Sequence, residues 1–221
     1  MKALIKSDFF DFFKKLAANN NKDWFDANKK WYEEAVKLPF ELLVSELIQA
    51  MEKRDKEYGM LQPKDCIFRI NRDIRFSSDK TPYKTNRSAL MAPGGRKHMS
   101  GKGFYLELGP ESCGLYAGAY MPAKEDLYQM RLKIKNQSKK FRQILEDKTF
   151  VKTFGEIQGE KQKRLDTEFR EAAENEPILF HKQLYIQHEF SEKEITGDDA
   201  VKRILDVAKL SEPFVNFLEL K

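Results

Sequence analysis

Cysteine and histidine are scarce: two and three among 221 residues, with no zinc-like spacing, so a Cys/His metal site is disfavoured. Cys66 and Cys113 fall in segments that read as strands, where cysteine behaves as a small core residue. With no disulfide framework to build, the reading is of a cytoplasmic protein. Long apolar runs are lacking too, and no stretch approaches the roughly 20 residues needed to cross a bilayer. The apolar start at Ala3 to Ile5 is cut short by Lys6, Ser7 and Asp8, which does not make a signal peptide. A membrane is therefore not among the expected partners. Internal repeats and low-complexity linkers are missing as well.

What is abundant is core material, 41% hydrophobic residues and seventeen Phe, enough for one domain. Residues 6–58 read as helical. Ser7 is the expected cap of a helix with Phe9, Phe10, Phe13, Leu16 and Ala17 at helical spacing, and Asn19-Asn20-Asn21 ends it and caps the next. Pro39 opens a further helix or kinks it. Across 66–121 the period falls to two, as in Phe68/Ile70, Ile74/Phe76 and Phe104/Leu106/Leu108, and the short connections suit antiparallel hairpins. Helical spacing returns over 123–154. The charged stretch 155–180 is expected to be a solvated helix or mobile connection. A strand follows at 183–190, then C-terminal helices over 198–220, the last starting at Ser211-Glu212-Pro213. The expected fold class is α+β: a single domain whose mostly antiparallel sheet is packed by N- and C-terminal helices.

Charge is concentrated in one place. Residues 69–97 hold eight Lys and Arg against Asp73 and Asp79, a net of +6 in a chain of net +5, which leaves the rest at −1. A concentrated field attracts anions better than the same charge spread evenly. On strand geometry Arg69, Asn71, Asp73 and Arg75 share one face, and Phe68, Ile70, Ile74 and Phe76 the other. Arg72 falls on the apolar side. An unpaired buried charge costs on the order of several kcal/mol, so it needs a carboxylate, with Asp79 and Glu107 as candidates.

The string Arg72-Asp73-Ile74-Arg75-Phe76, followed by Asp79-Lys80-Thr81-Pro82-Tyr83-Lys84, is long enough to be specific. With Asn19-Asn20, Trp24-Phe25 and Tyr32 upstream, and Gly114, Gly118, Pro122, Leu127 and Arg131 downstream, it resembles a widespread microbial family catalogued as domain of unknown function 2461. The resemblance covers most of residues 9–135. It implies a shared site and no named reaction. Further on the chain departs from the family pattern: Leu165 to Pro177 lacks the glycine and histidine of a Pro-Lys-Gly-Tyr-like stretch followed by Asp-His-Pro.

Two readings of the charged string stand side by side. In one, Arg69, Arg72, Arg75, Lys80, Tyr83, Lys84 and Arg131 bind a phosphate-bearing small molecule or nucleotide, and Asp73 or Asp79 serves as general base or Mg²⁺ ligand. The same cations could follow a nucleic-acid backbone, with Tyr83, Tyr116 or Tyr120 stacking on bases, although embedded carboxylates repel a polyanion. In the other, the Arg/Asp set is a structural ion-pair network on an interaction scaffold. The loop Pro93 to Gly103 fails as a Walker A motif, because five residues separate Gly95 from Gly101 and no Ser or Thr follows Lys102. It reads as an ordinary loop or a basic flap with His98 as acid or base. Gly114 and Gly118, with Tyr116 and Tyr120, form a ligand platform or a tight packing contact.

Overall fold

The computed structural model describes residues 2–97 and 102–220. In chain order they form α1 (Ser7–Ala18), α2 (Lys22–Ala27), α3 (Lys29–Trp31), a π-helical turn (Tyr32–Lys37), α4 (Leu38–Glu52), α5 (Pro63–Cys66), β1 (Arg87–Met91), β2 (Phe104–Leu108) and β3 (Cys113–Ala119). There follow α6 (Lys124–Asn136), α7 (Ser138–Leu145), α8 (Lys148–Phe154), α9 (Thr167–Asn175), β4 (Leu184–Glu189), α10 (Glu192–Ile195) and α11 (Ala200–Leu218). The fold is α+β, with one four-stranded antiparallel sheet in the order β1-β2-β3-β4 and helices from both ends of the chain. Backbone contacts group the described residues into two compact units: those of 1–97, 105–115 and 189–205, and those of 98–104, 116–188 and 206–221.

The first unit is built on aromatic packing. Phe9, Phe10, Phe13 and Leu16 of α1 are buried, as the helical spacing requires, and so is Phe12 on the edge of that stripe. Phe12 is enclosed by Trp24, Trp31 and Tyr32, with ring centroids at 5.6, 5.1 and 5.5 Å. Aromatic side chains from α2, α3 and the π-helical turn thus cover the flank a one-sided stripe would leave wet, while Ala17 of the expected stripe is exposed. The cap of α1 is Lys6, without a side-chain bond, and Ser7 is the first helical residue instead of the expected cap. Asn21 does cap α2, accepting from the Trp24 amide at 2.9 Å. Pro39 lies in the first turn of α4, and just before it the π-helical turn lets the Leu38 amide reach Glu33 O, five residues back. That turn absorbs the register change a proline imposes.

The expected strand over residues 66–76 is largely not formed. Cys66 ends α5, and the segment beyond is extended chain joined to 82–89 by two isolated antiparallel bridges, Ile67 to Ala89 and Asn71 to Tyr83. Ile70 is buried, yet Phe76 is 94% exposed, so the alternation does not mark a buried face beyond the second bridge. There the backbone bonds to its own side chains: Asp73 accepts from the Arg75 amide and Asp79 from the Thr81 amide. Such local bonds compete with a sheet ladder and end it.

In the second unit the charged stretch is more ordered than its composition suggests. It contains α9, and Leu165, Phe169 and Leu179 are buried. Gln158 and Lys161 also bridge to Tyr185 and His181. A few well-placed apolar residues anchor it, and of its charges Glu176 is buried against Ser138 and Arg142. The expected break at Ser211 to Pro213 is absent, and α11 runs through Pro213 to Leu218. Phe214, Val215, Phe217 and Leu218 extend the buried side of the helix, and the Ser211 hydroxyl donates to Ala208 O at 2.7 Å. Burial of that face outweighs the missing proline N–H. Gly118 has φ +117°, and a Cβ there would lie 2.4 Å from Leu184 O of β4 and 2.9 Å from the Phe214 ring, so this glycine serves close packing.

Candidate functional site

The charged string is displayed on the irregular hairpin 67–89 of the first unit. Its two arms are joined by Phe68 N to Ser88 O (2.9 Å), Lys84 N to Ile70 O (2.8 Å) and Arg72 N to Pro82 O (2.9 Å). Asn20 clamps the second arm, its amide donating to Tyr83 O at 2.9 Å and its carbonyl accepting from Tyr83 N at 3.1 Å. The Tyr83 ring stacks on Phe25 at 4.1 Å and 15° and is 7% exposed. Tyr83 is therefore an anchor between hairpin and helices, and its buried ring is no open surface for a base.

Several candidate charges satisfy one another. Arg72 bonds the Asp79 carboxylate and the Thr81 hydroxyl. Asp79 also accepts from the Thr81 amide and hydroxyl, each at 2.9 Å. The Thr81 amide and then the Arg72 guanidinium hold its carboxyl down to about 2. Asp73 takes a two-pronged bond from Arg75, at 2.9 and 2.7 Å, which likewise lowers its pKa. Both carboxylates are thus engaged by cations or backbone amides of the same string. The Lys80 ammonium donates to Ile74 O at 2.9 Å.

A second set of charges is not neutralised in this way. Lys84 is half-buried, and its ammonium rests 5.4 Å over the Phe68 ring. The Phe68 ring meets Tyr105 edge-on at 5.9 Å, and the Tyr105 hydroxyl donates to Glu107 at 2.7 Å. Arg87, at the start of β1, is 5% exposed; it donates to Phe68 O at 2.8 Å and its guanidinium lies 5.6 Å over the Phe40 ring. Its Nε, the Ser88 hydroxyl and Asn86 Oδ1 are buried without a hydrogen-bond partner among the described residues. Burial pushes the Lys84 pKa down, Glu107 opposes this, and Arg87 and Arg69 add to it. Burial also disfavours the charge on Arg87, while Tyr32 and Glu41 favour it. Arg69 is exposed. No described carboxylate is paired with Arg69, Lys84 or Arg87.

Arg87, Phe68, Tyr105 and Glu107 were not among the expected site residues. Arg87 lies inside the +6 window but reads as an ordinary strand residue, and Glu107 alternates with Leu106 and Leu108 as any exposed strand position does. Arg131 belongs to the second unit. There it is 5% exposed on α6, donates to His181 O at 3.0 Å, and has an unpartnered Nε among the described residues. In the glycine-rich loop Arg96 donates to Ile67 O at 2.5 Å, and His98 lies outside the described residues. Burial pushes the Cys66 and Cys113 thiols up to about 11 and about 12, so neither is a ready thiolate. The described residues contain no group of His, Cys, Asp and Glu that would hold a metal ion. No described helix is long and apolar enough to cross a membrane. A groove of about 840 Å³ in the second unit, with Ile144, Phe150, Leu210 and Pro213 among its walls, includes none of the expected site residues.

Fold and hairpin together define an α+β protein whose charged string is mounted on an aromatic-anchored hairpin. The family model for the conserved hypothetical protein DUF2461 matches residues 8–217, nearly the whole chain, and the protein belongs to that family. No curated protein and no solved structure matches it.

Proposed function

We propose that the protein binds, in the cytoplasm, a small molecule bearing a phosphate or carboxylate at the face of hairpin 67–89 where Arg69, Lys84 and Arg87 converge. The observation that carries this reading is the contrast within the string. Arg72 and Arg75 have carboxylates in ion-pair contact, whereas among the described residues Arg69, Lys84 and the buried Arg87 have none in contact, only Glu107 and Glu41 acting on Lys84 and Arg87 from farther off. Burying an uncompensated cation costs on the order of several kcal/mol, and a bound anion supplies the missing charge. Asp79 and Asp73 act in this reading by fixing Arg72 and Arg75, not by transferring protons. Two free cysteines, Cys66 and Cys113, fit a reducing compartment.

Nucleic acid is the second reading, favoured by one observation. Phe76 is 94% exposed with the Arg75 guanidinium 5.6 Å over its ring, a pairing that suits stacking on an unpaired base. Isothermal titration against inorganic phosphate, nucleotides, sugar phosphates and short single strands tests both. Selective binding of one small phosphate, lost in Arg69→Ala with Lys84→Ala, supports the first reading. Binding of polymers alone, with a steep salt slope and loss in Phe76→Ala, supports the second. Binding of nothing at low salt leaves a structural network.

A further inference from the structure

We propose that Lys84 is an imine-forming amine and that the anion at this site is carried by an aldehyde or ketone. The proposal rests on the anion reading above and names the reactive group that the same site addresses. An imine-forming lysine needs an amine that is readily neutral, a holder for the rest of the substrate, and groups that move protons as the carbonyl oxygen leaves.

Lys84 meets the first requirement by placement. Its Nζ lies against the face of Phe68, half-buried, with two guanidiniums nearby and no paired carboxylate among the described residues. Like charges and burial both favour the neutral amine, against Glu107 and the Phe68 ring face, which favour the ammonium. Lys80, four residues away in the same string, differs: it is exposed and its ammonium donates to Ile74 O. Arg69 and Arg87 meet the second requirement, since two cations without carboxylate partners draw the substrate's phosphate or carboxylate to the amine. Glu107, with the Tyr105 hydroxyl on it at 2.7 Å, meets the third. The neutral Nζ adds to the carbonyl carbon to give a carbinolamine. Both amine hydrogens then depart with the carbonyl oxygen as one water, leaving a C=N bond, and nothing is oxidised or reduced. Glu107 accepts a proton from the nitrogen and returns it to the departing oxygen.

Pyridoxal 5′-phosphate carries an aldehyde and a phosphate together and is the probe. The full chain is treated with a limiting amount, reduced with borohydride, and the modified lysines are located by peptide mass spectrometry. Most of the label is expected on Lys84 ahead of Lys80, with inorganic phosphate protecting it. Lys84→Arg should lose this label without its moving to Lys80, because a guanidinium forms no imine under these conditions. Glu107→Gln should slow labelling of Lys84. Label spread over surface lysines, with inorganic phosphate still raising Tm, overturns the imine and spares the anion reading. Spread label with no such rise overturns both.

Discussion

Replacing Arg87 by Met isolates the buried charge from the shape of the side chain. Among the described residues the guanidinium donates one hydrogen bond, to Phe68 O at 2.8 Å, and lies 5.6 Å over the Phe40 ring, with Tyr32 and Glu41 acting on it from farther off. A hydrogen bond to a charged group is worth about 1.5–3 kcal/mol, and a desolvated cation over an aromatic ring about 2 kcal/mol. Against these stands the burial of an unpaired cation, on the order of several kcal/mol. The opposing terms nearly cancel, so Arg87→Met without ligand should lie within about 2 kcal/mol of the parent, roughly 4–8 °C in Tm for a chain of this size. Anion changes the comparison. Phosphate at a hundred times its Kd adds about 2.7 kcal/mol to the protein that binds it, roughly 5–11 °C, and should add little to the variant. Differential scanning calorimetry across a phosphate series, with chloride holding ionic strength constant, reads both effects. Equal phosphate responses in the two proteins would refute the assignment of Arg87 to an anion site. An unliganded loss far above about 3 kcal/mol would show that its two contacts dominate its unpaired charge.

Asp79, held down to about 2 by the Thr81 amide and Arg72, should remain ionised at pH 3 in a carboxyl carbon NMR titration. Because its folded pKa lies below the unfolded value near 3.9, the stability it contributes is complete above that value and is lost as pH falls through about 2; a midpoint near 4 would contradict the bonding described. Gly118→Ala should cost about 2–6 kcal/mol, combining an unfavourable backbone conformation with overpacking against Leu184 O. Gly155→Ala, also at positive φ but with nothing within 4 Å of the new Cβ, should cost only the conformational part, about 1–3 kcal/mol. Chemical denaturation of the two variants checks the difference.

Much of the local structure was legible. Helical spacing located α1, α4 and α6, alternation located β2, β3 and β4, and Asn21 announced the cap of α2. The charged string itself announced part of its wiring. Arg72 on the apolar side required a carboxylate, and Asp79 supplies it. Asp73 bonds Arg75, two residues on. Both pairs lie beyond the last bridge of the hairpin, where local turns and not a strand set the contacts. Failures came where local side-chain bonds or packing against distant residues overrode the periodic signal. Alternation through Phe76 suggested a strand, but side-chain bonds to the backbone ended the pairing. Pro213 suggested a helix start, but the buried face of α11 carried the helix through it.

By itself, then, the sequence determined the α+β class, the family and the window in which the excess positive charge lies, because spacing, composition and a specific string are properties of the chain alone. Tertiary structure decided which charges in that window are neutralised. Asn20 reaches across 63 residues to clamp Tyr83, Phe25 covers the Tyr83 ring, and the strand at Arg87 is drawn onto Phe40. The balance between a paired and an unpaired cation depends on burial and on partners distant in sequence, and no local pattern encodes either.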